Sequence, residues 1–246
     1  MSNKIDYGYH YKKWHSETPE HLRGMILFYR NMLSGILPAD KSISILDVGC
    51  GMGFALATLK EMGYSNIEGI DVDKGQVNAC LSKGIKCTQV DDSIAYLIAR
   101  KDKYDLIISL DVFEHVPFDA QLPFVVAVQA AIKPGGKVIC TVPNASSTLA
   151  SRWRYIDWTH HTSFTEHSLD FLLYNAGFRD PKVYETEFFR TPSIKSMLRI
   201  KPLIHWCLFL LVRGVRRMQM IAELGLEQGK QIPLSLNILA TAIKPL

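Results

Sequence analysis

The sequence predicts an α/β protein built on an open, doubly wound sheet, and three observations support this. Short apolar, β-branched runs alternate with helical stretches from residue 43 to residue 144, at the spacing of successive βαβ units. The first run, Ile43 to Val48, ends in Gly49, Gly51 and Gly53, and a helical stretch from Phe54 to Met62 follows at once. The second run, Ile67 to Asp73, ends in a carboxylate. Glycines suit such a turn because the backbone must bend tightly and let a ligand lie against it without a Cβ in the way. In open α/β sheets the turn sits at the carboxyl edge of the strands, where ligands bind.

The spacing narrows the ligand. A dinucleotide fingerprint, G-x-G-x-x-G, would place its third glycine at position 54, which is Phe. Asp47 stands just ahead of the turn. Its carboxylate would repel a pyrophosphate and attract a ligand bearing an ammonium and a sulfonium. Asp71 lies roughly 20 residues past the turn, where a carboxylate can accept from a ribose diol.

In these segments the chain resembles the class I S-adenosylmethionine-dependent methyltransferases. Asp47-Val48-Gly49-Cys50-Gly51-Met52-Gly53 is similar to their first motif, and Gly69-Ile70-Asp71 to their ribose-binding acidic motif. The resemblance implies a Rossmann-like, seven-stranded sheet whose last strand runs antiparallel at the edge, with S-adenosylmethionine as cofactor. It assigns Asp47, Gly49, Cys50, Gly51, Gly53 and Phe54 to the methionine end, and Asp71 and Val72 to the ribose. The competing reading is an NAD-type domain, or a nucleotide fold that has lost its ligand.

At 246 residues, 48% of them apolar, the chain suits one α/β domain with an elaboration. With 28 basic and 24 acidic residues, its charge is too small to argue for nucleic acid. The five cysteines form no C-x-x-C pair, so a reduced, cytoplasmic protein is expected. Met1 to Glu20 has no signal-peptide core. The longest apolar run, Leu203 to Val212, is interrupted by His205 and falls short of the about 20 residues a membrane-spanning helix needs.

Residues 1–40 form an expected N-terminal unit. Tyr7 to His15 is an aromatic leader. In the methyltransferases it resembles, such a leader is a lid, which would put Tyr11 or Trp14 over the site; otherwise it is an aromatic clasp on the surface. Apolar positions 22, 25, 26, 29, 33 and 36 predict a helix from Pro19 to Leu37, ended by Gly35 and Pro38.

The expected core spans 41–189. Lys74 to Lys83 reads as a helix and Ile85 to Val90 as a strand. The resemblance then gives Asp91 or Asp92 to the adenine, the other serving as N-cap of a helix from Ser93 to Arg100. Tyr104 to Asp111 is an apolar, central strand. Val112-Phe113-Glu114-His115-Val116-Pro117 resembles a motif of small-molecule methyltransferases, including the ubiquinone-pathway and sugar-modifying groups. This implies that Leu110 and Asp111 line the cofactor and that His115 orients the site or touches the acceptor; a backbone-satisfying histidine is the alternative. A helix (Gln121 to Ile132), a turn (Lys133-Pro134-Gly135-Gly136) and a strand (Lys137 to Asn144) follow. Asn144 is a candidate acceptor contact.

Ser151 to Trp158 breaks the pattern with aromatics and arginines. Asp157, Thr159, His160 and Phe164 match the family's D-x-T-H-x-x-x-F segment, which makes His160 the expected general base. His161, its neighbour, is a further acceptor candidate. Arg152, Arg154, Trp153 and Trp158 suit a glycan or acidic acceptor, unless these side chains form a small core under the loop. A helix opening at Thr165 ends at Gly177; Phe178 to Phe189 is the next strand and Leu236 to Lys244, within a final segment 234–246, the last.

Between those strands lies an insertion, 190–233. Arg190, Lys195, Arg199, Lys201, Arg213, Arg216 and Arg217 precede its first acidic residue, Glu223, and large apolar residues are interleaved. Such a helix reads as lying on an anionic membrane surface, with a homodimer interface or a lid packed on the core as competitors.

The sequence therefore predicts a cytoplasmic O-methyltransferase, at the inner face of the membrane, acting on a sugar hydroxyl of a cell-surface glycan or its lipid-linked precursor. A quinone-biosynthesis O-methyltransferase is the alternative, and a non-catalytic cofactor-binding membrane-surface scaffold a second. The Asp111, Glu114 and His115 spacing is not a recognised metal cage, so no metal is expected.

Overall fold

The computed structural model describes residues 9, 11, 13–16, 18–186 and 199–246. Helix α1 (Pro19–Leu33) opens on Thr18, whose side chain accepts from the His21 amide. It stops at Leu33, a turn earlier than its apolar spacing predicts. Strands β1 (Ile45–Val48), β2 (Ile67–Asp71), β3 (Cys87–Gln89), β4 (Tyr104–Leu110) and β5 (Ile132–Pro143) are joined through α2 (Phe54–Glu61), α3 (Lys74–Leu81), α4 (Ser93–Ile98) and α5 (Phe118–Ala131). After them come α6 (Ala150–Tyr155), α7 (Glu166–Asn175), β6 (Arg179–Glu185), α8 (Ile200–Leu224), α9 (Leu226–Gln231) and β7 (Asn237–Ile243).

The seven strands form one sheet in the order β3-β2-β1-β4-β5-β7-β6. The pairings from β3 to β5 are parallel, and β7 runs antiparallel to both neighbours. This is the Rossmann-like fold expected, with one correction. β7 lies inside the sheet, and β6 takes the edge. Composition explains the exchange. β7 is buried along its length except at Ile243, as an apolar strand covered on both faces must be. β6 carries Arg179, Asp180, Pro181, Lys182 and Glu185, the charges and proline that edge strands tolerate.

Residues 133–136, expected as a turn, fall within β5 and coincide with a register shift against β4 between Tyr104 and Leu106. Two apolar layers cover the sheet. Leu46, Ile107, Phe124, Val128 and Val138 belong to one, and Ile45, Leu56, Leu59, Ile108 and Ile139 to the other.

Residues 187–198, which include Arg190 and Lys195, lie outside the described residues. α8 has no buried residue. Its arginines turn toward the rest of the protein: Arg213 and Arg217 pair with Glu185 of β6, Arg217 also donates to the Gly229 carbonyl, and Arg216 to that of Ser146. The basic face expected to meet anionic lipid is thus largely engaged in holding the helix down.

The first turn is shaped by what lies behind it. Gly49, Gly51 and Gly53 have φ of 74°, 51° and 77°, a left-handed region costly for other residues. A Cβ on Gly69 of β2 would lie 2.7 Å from Leu56 Cδ1 and 2.8 Å from Cys50 Cβ. Gly69→Ala is therefore expected to destabilise the fold by roughly 1–3 kcal/mol through overpacking. Urea unfolding checks this, and an unchanged midpoint would show that the turn yields.

Candidate active site

A cavity of about 580 Å³ opens at the carboxyl ends of β1, β2 and β4. A smaller one of about 40 Å³ lies against the glycine turn. Asp47, Cys50, Gly51 and Phe54 line the small cavity; Asp71, Val72 and Asp111 line the large one; Gly49 and Leu110 line both. Tyr11 also lines both, and Trp14 the larger. The Tyr11 hydroxyl is 3.2 Å from where a Cβ on Gly51 would sit, so glycine there leaves room for the lid.

The electrostatics suit a cationic ligand. Asp47 is 1% exposed, and its Oδ2 accepts no hydrogen bond among the described residues. Burial, reinforced by Cys80 and Asp71, pushes its pKa well above the carboxylate range. A buried acceptor in that state is stabilised by an ammonium. Asp71 accepts from the Gly51 amide at 2.8 Å and from the Asp73 amide at 2.8 Å, which fixes the turn to the end of β2.

Two assignments change. Gly53 lines neither cavity; a Cβ there would lie 2.6 Å from Cys80 Sγ, so this glycine answers to packing behind the turn. Asp92 Oδ1 accepts from the Ile94 and Ala95 amides at 2.9 and 3.0 Å, and so is the N-cap of α4. Asp91 is exposed, and neither carboxylate lines a cavity, whereas Ser93 does.

At the acceptor end, His115 and His160 meet edge to face with ring centroids 4.6 Å apart, and both line the large cavity. Thr159 Oγ1 donates to Asp157 Oδ1 at 2.8 Å, so its oxygen accepts from His115 Nδ1, also 2.8 Å away. His160 Nδ1 donates to the Trp153 carbonyl at 3.2 Å. In both rings the lone pair then sits on Nε2, the tautomer a base or a metal ligand needs. Glu114, 1% exposed, joins them, and one ligand atom from each of the three lies within 4.8 Å of the others. Burial, then the Asp111 charge, pushes the Glu114 pKa well up, and its Oε2 accepts no hydrogen bond among the described residues.

Asp111, with φ of 57°, holds strained backbone at the end of β4. Its Oδ1 accepts from Thr141 Oγ1 at 2.9 Å and from Asn237 Nδ2 at 2.6 Å, and Asn237 Oδ1 accepts from Trp153 Nε1 at 2.7 Å. The metal-capable set is therefore Glu114, His115 and His160, with Asp111 engaged elsewhere.

Five expected acceptor contacts do not reach the cavity. Asn144 is buried and spends its amide on the Pro233 and Ser235 carbonyls. Trp158 is 88% exposed and Arg152 exposed. Arg154 turns back to the His161 carbonyl at 2.7 Å, while the exposed His161 donates its amide to the Glu114 carbonyl. On the short helix α6 the helical period turns Trp153 toward the cavity and Arg152 outward. Walls that residue typing passed over are Met25, Phe28, Tyr29, Ile156 and Asn237. Met25 and Tyr29 were already marked by the spacing of α1, and Asn237 by being a polar residue inside an apolar run.

A family model described as a methyltransferase domain matches residues 21–182. The chain belongs to this family, and with its fold and glycine turn to the class I S-adenosylmethionine-dependent methyltransferases. Among curated relatives, the ubiquinone biosynthesis O-methyltransferase of Nitrosococcus oceani is 34% identical over 105 residues, 41% of this chain and 43% of that protein. That of Rickettsia prowazekii is 36% identical over 107 residues, 42% of this chain and 40% of its own. The chain thus matches less than half the length of these relatives. The solved structure of a SAM-dependent methyltransferase from Archaeoglobus fulgidus has a TM-score of 0.65 at 21% identity, covering 97% of this chain and all of the other, which shows a shared fold.

The Cβ-free cradle and the orphaned Asp47 oxygen fit S-adenosylmethionine, the cofactor of the class. Asp47 must be ionised to hold an ammonium, and its pKa in the free protein is raised. Affinity for S-adenosylmethionine is therefore expected to fall as pH drops through that raised value, beginning above the usual carboxylate range near about 3.9. Calorimetry from about pH 8 to about pH 5 reads this. A flat affinity, or the same slope in Asp47→Asn, would remove Asp47 from the ammonium.

Proposed function

We propose that the protein is an O-methyltransferase whose acceptor is a phenolic hydroxyl on an apolar, quinone-type molecule. The carrying observation is the acceptor wall. Trp14, Met25, Phe28, Tyr29, Trp153 and Ile156 line the same cavity as the His115–His160 pair, while Arg152, Arg154 and Trp158, three of the four residues that would have suited a sugar, lie outside it. Aromatic walls bury a flat apolar ring, whereas a sugar would leave its hydroxyls unpaired against them. The names of the relatives support the same alternative over a glycan.

S-adenosylmethionine bound at the turn supplies a methyl group on an activated sulfonium carbon. The chain contributes positioning, worth several kcal/mol in a displacement of this kind. Asp47 and Asp71 fix the cofactor, Tyr11 covers it, and the aromatic walls exclude water. His160 Nε2 accepts the hydroxyl proton. A second reading, favoured by the orphaned Glu114 oxygen, makes Glu114, His115 and His160 the ligands of a divalent cation that lowers the pKa of the hydroxyl.

The test is transfer from radiolabelled S-adenosylmethionine into separate pools of catechol-type quinone precursors, nucleotide sugars and lipid-linked glycans. Label is expected in the quinone-type pool; label in a sugar pool instead would return the acceptor to a glycan. His160→Ala should cut transfer by about 10²–10⁴-fold with cofactor affinity unchanged. Loss of transfer in EDTA, restored by a divalent ion, selects the cation reading, and indifference to EDTA selects the base.

We also infer that α8 rests on a lipid surface. Ile204, Leu208, Leu211, Val215 and Met218 form a stripe on one face, each more than half exposed. No helix among the described residues is long and apolar enough to cross a membrane. With its arginines turned inward, the helix should bind through apolar area rather than charge. Sedimentation with neutral vesicles is expected to match that with anionic ones and to be lost in a Leu208→Lys, Leu211→Lys, Val215→Lys variant. Binding to anionic vesicles alone would restore the electrostatic reading, and a dimer on gel filtration that the triple variant dissolves would give the stripe to a second copy.

A further inference from the structure

Behind the glycine turn, on the side away from the large cavity, three thiols converge. Cys50, Cys80 and Cys87 are free and buried, and their sulfurs all lie within 4.8 Å of one another. Cys50 Sγ is 2.9 Å from Cys87 Sγ. The backbone explains the approach. Gly69 and Cys87 are register partners on β2 and β3, and Cys50 Sγ lies 2.8 Å from where a Cβ on Gly69 would be. The Cys50 sulfur thus fills the side-chain place of Gly69, beside Cys87 on the neighbouring strand.

We propose that Cys50 and Cys87 form a reversible disulfide with peroxide as the oxidant, a covalent tie between the glycine turn and the edge strand β3. The surroundings favour this product over a metal centre. The shell of Leu56, Leu59, Val77 and Ile85 is apolar, which suits an uncharged disulfide and penalises a thiolate–metal cluster. The sulfurs also stand closer than the roughly 3.8 Å edge of a tetrahedral site with Zn–S bonds of about 2.3 Å.

A route for the oxidant exists, since Cys50 lines the small cavity of about 40 Å³, room enough for a molecule of peroxide size. The Cys50 sulfur attacks one peroxide oxygen and breaks the O–O bond to give the sulfenic acid; the Cys50 proton passes to the departing hydroxide, which leaves as water. The Cys87 sulfur then attacks the sulfenic sulfur, and the hydroxyl leaves with the Cys87 proton as a second water. In sum, two thiols and one hydrogen peroxide give one disulfide and two waters, the sulfurs losing the two electrons the peroxide gains.

The experiment treats the full chain carrying Cys207→Ser, which removes the exposed thiol, with hydrogen peroxide. Intact-mass measurement is expected to show the loss of two hydrogens, reversed by a thiol reductant, and peptide mapping to join Cys50 to Cys87. A cross-link across 37 positions should raise Tm on the order of 8 °C in the oxidised form. An unchanged mass, stable sulfinic acid at a single cysteine, or a disulfide that includes Cys80 overturns the proposal. So does one tightly held zinc per chain that blocks all three thiols. Because mapping is done on a chain with its core unaltered, a folding defect in Cys50→Ser or Cys87→Ser does not enter the result.

Discussion

The bond from the Gly51 amide to Asp71 Oδ2 sets the geometry on which the site depends. It ties the turn after β1 to the end of β2, strands already paired from Ile45–Ile67 to Val48–Ile70. With that tie in place, Asp47 lies buried at the mouth of the turn, Gly51 lies under Tyr11, and the other Asp71 oxygen takes the Asp73 amide that starts α3. A carboxylate that accepts two backbone donors is held to one orientation. Burial works against its charge, so the structure places in this turn a group that water would solvate better. The backbone amides offset that cost and, in doing so, order the loop before any ligand arrives.

The acceptor end is organised from the other side of the sheet's centre. Asp111 at the end of β4 is held by Thr141 of β5 and Asn237 of β7, and Asn237 reaches on to Trp153 of α6. This chain of contacts requires β7 to sit beside β5. An edge position for β7 would have separated Asn237 from Asp111 and left the carboxylate only the Thr141 hydroxyl of these two donors. The interior place of β7 thus follows from its apolar composition and also completes the site.

The cofactor half was legible in the sequence because it is local. Strand, turn and helix lie within residues 43–62, and the residue types specify backbone conformation directly, glycine for positive φ, whereas which of Asp91 and Asp92 caps the next helix was left open. The acceptor half was only partly legible. His115 and His160 were found by type, and the structure brings them together over 45 positions of chain. Arg152, Arg154, Trp158 and His161 were grouped with them by type alone, although neighbours on α6 take different faces and Trp158 and His161 lie beyond its end. A rotation of one residue, about 100° on a helix, separates Trp153 at the wall from Arg152 in solvent, and one sequence carries no reading of that phase. The arginines of α8 failed for a related reason, since their partner Glu185 belongs to a strand elsewhere in the chain.

Three carboxylates converge on the cavities, Asp47 and Glu114 buried and Asp111 more open, and their different fates divide the labour. Asp111 is answered by two side-chain donors and so is structural. Asp47 and Glu114 each keep an oxygen with no partner among the described residues, and burial raises the pKa of both. A fold that required only stability would have paired these oxygens or replaced the groups by apolar side chains, since an unanswered buried acceptor costs about 1–3 kcal/mol. Asp47 keeps its orphaned oxygen against the small cavity and Glu114 against the large one, and the proposed function uses both: an ammonium and sulfonium beside Asp47, a proton or divalent cation beside Glu114. On the proposed function, the reacting bond lies between them, with the methyl donor on the Asp47 side and the acceptor hydroxyl on the Glu114 side.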